Sequence, residues 1–140
     1  MIQPIYPCLW FENQASEAAR YYCGIFKNSK IIDDNPIVTI FELNGAKFMG
    51  LNGGPQFNFT EAVSFVVTCD TQEEIDYYWE KLTAGGEESM CGWLKDKYGL
   101  SWQVVPSILG QLMSDPVKGQ RVIDAFLKMR KFDIQTLLDA

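Results

Sequence analysis

One order of elements occurs twice in this chain: a strand, a helix, a short strand and a hairpin. It runs from Ile5 to Asn52 and again from Ala62 to Val105. Pro7 of the first half falls opposite Ser64 of the second, and Gly45 opposite Gly99, at nearly equal offsets. Two matched βαβββ halves predict an α+β fold with an internal pseudo-twofold. Identity between the halves is low, so the repeat is one of pattern.

In the first half, Ile5 to Phe11 reads as a strand. Pro7 marks an edge or bulge, because proline donates nothing to a sheet ladder. Asn13 is the expected N-cap of a helix with Ala15, Ala18, Ala19, Tyr22 and Phe26 on one face. Ser29 to Asp33 is a short strand. Ile37 to Leu43 and Lys47 to Asn52 make a hairpin about Asn44-Gly45, the strongest turn signal present. In the second half, Ala62 to Cys69 has the apolar run of a central strand. Asp70 and Glu73 open a helix with Ile75, Tyr78, Trp79 and Leu82 as its stripe, and Gly85-Gly86 end it. Cys91 to Lys95 and Leu100 to Val105 form the second hairpin, with Gly99 where a positive φ is needed. Trp10, Trp79 and Trp102 are expected to face helices as core.

The tail, 107–140, is helical. Asp115-Pro116 opens one helix, carrying Val122, Ile123, Phe126, Leu127 and Met129, and Asp133 caps another with Ile134, Leu137 and Leu138. These stripes are expected to pack on the sheet, with a dimer interface as the alternative. A single domain, 1–140, is expected, with modules at about 1–55 and 60–106.

Several function classes drop out on composition. The net charge is −6 and no basic patch stands out, which argues against nucleic acid and anionic membrane as partners. No apolar run approaches a membrane span, and MIQPIYPCLWF lacks the features of a signal peptide. Cys8, Cys23, Cys69 and Cys91 have no zinc-ligand spacing and read as reduced thiols of a cytoplasmic protein. There is no histidine, so Ser-His and Cys-His pairs and histidine bases are unavailable. Asn52-Gly53-Gly54-Pro55 lacks the lysine and hydroxyl residues of a phosphate loop. Glu12, Asp33, Glu42 and Asp96 lie near strand ends and read as solvated surface groups. Glu61 precedes the central strand, within reach of a site's rim.

Particular stretches resemble a known family. They are Pro7 to Phe11, Glu17-Ala18-Ala19 with Tyr21-Tyr22, Phe48 to Pro55, and Ala62 to Phe65. Cys91 to Asp96, Tyr98 to Gln103 and Met129 to Ile134 complete the set. In order and spacing they resemble the vicinal oxygen chelate superfamily of glyoxalases, bleomycin resistance proteins and extradiol dioxygenases. More narrowly they are similar to its PhnB-like branch, often labelled 3-demethylubiquinone-9 3-methyltransferase. The resemblance implies paired βαβββ modules whose mixed sheets curl into a half-open cup, with C-terminal helices added. It implies four metal-ligand positions, which fall here on Pro7, Gly50, Ser64 and Gln103. Proline and glycine offer no ligating side chain, serine is a poor ligand and glutamine a weak one. No metal and no cofactor are therefore expected. The methyltransferase label finds no glycine-rich loop after a first strand to support it.

Strand parity then predicts what lines such a cup. Leu9, Phe11, Phe48, Asn52, Ser64, Trp93, Ser101 and Gln103 are the expected ligand-binding residues, with Val66, Thr68 and Val105 beside them. No catalytic residue is assigned. An apolar and aromatic wall with a few neutral hydrogen-bonding groups suits a small apolar or aromatic ligand. The expectation is a small-molecule-binding homodimer. The alternatives are a metal-dependent lyase, isomerase or dioxygenase, and a dimeric interaction module.

Overall fold

Gly45 and Gly99 take φ of +84° and +85°, so the two hairpins turn on matched glycines in the left-handed region. The computed structural model describes residues 1–140. It divides into two units, Met1–Phe59 and Thr60–Ala140. Each holds one four-stranded mixed sheet.

The first unit comprises β1 (Cys8–Phe11), α1 (Ala15–Ile25), β2 (Lys30–Asp34), β3 (Val38–Leu43) and β4 (Ala46–Asn52). The sheet order is β1-β4-β3-β2. β1 runs parallel to β4, and the other pairs are antiparallel. Helix α1 lays Ala15, Ala18 and Ala19 on the sheet, all fully buried. A Cβ added to Gly50 would come 3.1 Å from the Ala15 Cβ. Small residues on both surfaces thus let helix and sheet approach closely. Tyr22, Phe41 and Phe48 stack behind them, with ring centroids 6.4 and 5.5 Å apart.

The cap of α1 differs from expectation. Gln14, not Asn13, precedes the helix and makes no side-chain cap. Asn52 does this work from β4, its Oδ1 accepting the Ala15 N–H at 2.9 Å. Asp34 ties β2 to α1: it accepts from Ser16 Oγ at 2.8 Å, Thr39 Oγ1 at 3.0 Å and Arg20 at 3.1 Å. The Ser16 and Thr39 hydroxyls, and then Arg20, hold its carboxyl below the usual range. Trp10 lies on the side of β1 away from α1, against expectation. Its indole packs on Gly53, donates to Gly54 O at 2.9 Å and meets the Phe57 ring edge-on at 4.9 Å.

The second unit comprises β5 (Ser64–Cys69), α2 (Gln72–Thr83), β6 (Glu87–Glu88), β7 (Trp93–Lys95), β8 (Ser101–Pro106), α3 (Leu109–Met113), α4 (Gly119–Phe126) and α5 (Ile134–Leu138). The sheet order is β5-β8-β7-β6, with β5 parallel to β8. α2 opens one residue later than expected. Thr71 and Glu74, not Asp70 and Glu73, form the reciprocal capping box. Ile75, Trp79 and Leu82 are buried beneath it, as the stripe predicts.

The strand expected from Cys91 begins only at Trp93. Cys91 and Gly92 take φ of 59° and 80°, and their N–H groups donate to Met129 O at 2.7 Å and Arg130 O at 2.8 Å. The tail therefore packs within its own unit. Phe132, Val122 and Leu137 are buried. Gln72 holds the segment by donating to Phe132 O at 2.9 Å and accepting from Ile134 N at 2.8 Å. Asp133 caps α5 as expected, accepting from Thr136 N at 2.9 Å. Asp115 instead accepts from Val117 N and Lys118 N ahead of α4, and Met129 lies beyond that helix.

Asp96 overturns its surface reading. It is 2% exposed and accepts from Tyr98 N at 2.8 Å, Leu100 N at 3.1 Å and Trp102 Nε1 at 2.9 Å. No helix is long and apolar enough to cross a membrane.

Candidate functional site

Strand register sorts the second sheet into two sides. Ser64 pairs with Ser101, Val66 with Gln103 and Thr68 with Val105. Trp93 pairs with Gln103 and Lys95 with Ser101. Cross-strand partners share a side, so these residues lie together. Cys69, Leu94, Trp102 and Val104 lie on the other side, buried in the core shared with α2.

The shared side mixes apolar and neutral polar groups. Gln103 Nε2 donates to Ser64 Oγ at 3.0 Å. Val66 is 57% exposed, while Trp93 and Val105 are half-buried. Ser101 stands between Ser64 on β5 and Lys95 on β7. It is 1% exposed, yet its Oγ has no hydrogen-bond partner. Leaving a buried hydroxyl unpaired costs roughly 1–3 kcal/mol. Lys95 Nζ pairs with Glu61 Oε1 at 2.5 Å. Glu61 precedes β5 and Lys95 lies on β7, so this pair bridges across the intervening β8. Each partner tunes the other. The hydrogen bond and charge of Lys95 lower the Glu61 carboxyl, and those of Glu61 raise the Lys95 ammonium.

This arrangement donates and accepts hydrogen bonds. The partner of Ser64 is an amide, and Glu61 favours the charged form of Lys95. Lys95 was absent from the expected residues, although parity from Trp93 reaches it.

The structure brings Ser64, Trp93, Ser101 and Gln103 together as strand parity predicts. It turns the other four the opposite way. Leu9, Phe11 and Phe48 are buried at 5%, 3% and 7% exposure. Register places Leu9 beside Gly50 and Phe11 beside Asn52, and Gly50 lies against Ala15 of α1. Asn52 caps that helix. The side of the first sheet away from α1 carries Cys8, Trp10, Met49 and Leu51 instead. The cause is a slip of one. Glu12, Asn13 and Gln14 join β1 to α1, whereas Asp70 and Thr71 alone join β5 to α2. Matching the halves by their helix starts shifts β1 by one residue, and one residue changes the face.

The same slip takes the two first-sheet metal positions implied by the resemblance to the helix side of their sheet. Pro7 and Gly50 carry no donor, and Gly50 faces Ala15. Ser64 and Gln103 are neutral and bonded to each other. No group of three or more His, Cys, Asp or Glu side chains is placed to hold a metal.

A family model described as 3-demethylubiquinone-9 3-methyltransferase matches residues 3–105. The chain belongs to this PhnB-like family. A putative 3-demethylubiquinone-9 3-methyltransferase, a PhnB protein from Bacillus cereus, is 36% identical with a TM-score of 0.69, covering 75% of this chain and all (100%) of that one. More distant structures share the fold. Protein PA1353 of Pseudomonas aeruginosa is 17% identical with a TM-score of 0.64, covering 75% of this chain and 98% of that one. The fosfomycin resistance protein FosX of Listeria monocytogenes, solved with Mn(II) and sulfate, is 17% identical with a TM-score of 0.59, covering 80% and 97%. No curated protein matches the chain. The PhnB-like match ends before α3, so the tail that packs on Gly92 lies outside it.

Proposed function

We propose that this PhnB-like chain binds a small apolar or aromatic molecule and does so without the metal ligands usual in its superfamily. The observation that carries this reading is the Ser64–Gln103 hydrogen bond on a sheet side that also carries the apolar Val66, Trp93 and Val105. A neutral pair that both donates and accepts, set among the exposed Val66 and the half-buried Trp93 and Val105, orients an uncharged or weakly polar ligand by few contacts. The neutral Ser64 and Gln103, a poor and a weak metal ligand, support the same reading.

Titration of the ¹⁵N-labelled chain with a panel of small aromatic and amphipathic compounds tests it. The expected result is amide shifts at Ser64, Val66, Trp93 and Gln103. Shifts confined to residues facing α1 or α2, or none across the panel, overturn it. So does stoichiometric divalent metal in the purified protein that raises its thermal stability.

A further inference from the structure

Ser101 is the starting point. Its hydroxyl is buried and unpartnered, on the sheet side that carries Ser64 and Gln103. Its cross-strand neighbours are a second hydroxyl, Ser64, and a cation, Lys95. Lys95 pairs with Glu61, from the turn ahead of β5, and stands cross-strand from a second carboxylate, Glu87 on β6. Both partners are substantially exposed, and an exposed ion pair of this kind yields easily to a better-placed anion.

The geometry points to an acid-binding end of the site: a carboxylate or similar oxyanion on an aromatic ligand takes the place of Glu61 on Lys95 and accepts the Ser101 hydroxyl. The inference rests on the small-molecule reading above and adds the charge of the ligand. The aromatic body lies along Trp93, Val66 and Val105, and the acid lies at Lys95. An anion satisfies two needs together, the unused Ser101 donor and the Lys95 charge. A cation would compete with Lys95 for Glu61 and would leave the Ser101 donor unused. Glu61 is then an internal competitor that occupies the position until an acid arrives.

The test compares 2-naphthoate with 2-naphthamide, which share a shape and differ in charge, by amide-shift titration of the intact chain at low salt. Naphthoate is expected to shift Ser64, Lys95 and Ser101 and to bind about tenfold more tightly than the amide, falling with salt. Glu61→Gln removes the competitor and tightens naphthoate. Lys95→Met abolishes the preference for the acid. Ser101→Ala weakens naphthoate and leaves the amide unchanged. Glu61 and Lys95 are exposed, so their variants keep the fold. Equal binding of the two compounds, or weaker naphthoate binding in Glu61→Gln, overturns the acid site while the small-molecule reading stands. Binding of neither compound overturns the acid site, and the wider compound panel then decides the small-molecule reading separately.

Discussion

The indole of Trp102 donates to the carboxylate of Asp96 at 2.9 Å, and both side chains are buried. The other Asp96 oxygen accepts the N–H groups of Tyr98 and Leu100. One carboxylate thereby shapes the β7–β8 turn and anchors it to the strand that carries Ser101 and Gln103. Asp96→Asn keeps an oxygen for the turn but presents an N–H to the indole N–H. The expected loss is about 2–4 kcal/mol. Urea denaturation with an unchanged m value measures it.

Two glycines of that region separate strain from space. Gly99 has a positive φ but open room, with nothing within 4 Å of an added Cβ. Gly99→Ala is expected to cost about 1–2 kcal/mol. At Gly92 the added Cβ would lie 2.6 Å from the Phe132 ring and 2.7 Å from Val104 O. Gly92→Ala should cost about 3 kcal/mol or more and release the tail. Proteolysis at the tail in Gly92→Ala, with none in Gly99→Ala, distinguishes them.

Asn52 holds α1 to the first sheet, accepting from Ala15 N and donating to Pro36 O at 3.0 Å. Asn52→Ala is expected to lose about 1 kcal/mol or somewhat more. Asn52→Asp keeps the acceptor and adds a negative charge at the helix N-terminus, so it should lose less. The order of thermal midpoints, wild type above Asp above Ala, checks the assignment. A ligand-contact role would instead leave Asn52→Ala as stable as the wild type.

Cys69 carries a pH dependence. Burial, helped by Glu74 and Asp70, raises its thiol to about 11 from an ordinary 9.0. The unfolded chain therefore releases this proton first. The stability tied to the neutral thiol is complete below pH 9 and falls as the pH rises towards 11, by roughly 2–3 kcal/mol in all. The stability difference between wild type and Cys69→Ala should narrow over that window. Iodoacetamide should modify exposed Cys8 well before Cys69, which is buried.

Legibility followed distance along the chain. The α1 stripe, the Asn44-Gly45 and Gly99 turns and the Asp133 cap were readable because each depends on residues within a turn or two of one another. The second-sheet side, Ser64 with Ser101 and Gln103, was readable by parity within single strands. The capping box was legible to within one residue, since both Asp70–Glu73 and Thr71–Glu74 satisfy its spacing. The side taken by β1 and β4 was not, because alternation along a strand leaves open which of two faces meets the helix. A connection one residue longer inverted that choice and sent Leu9, Phe11, Phe48 and Asn52 towards α1.

The amino-acid order by itself determined the repeated modules, the hairpins and the apolar helix faces, all products of local spacing and backbone freedom. Only the tertiary structure decided that Asp96 is buried, that Ser101 lacks a partner and that Lys95 answers to Glu61. Those facts arise from side chains brought together across strands, where burial and unpaired charge set the energy and no spacing along the chain encodes the neighbour.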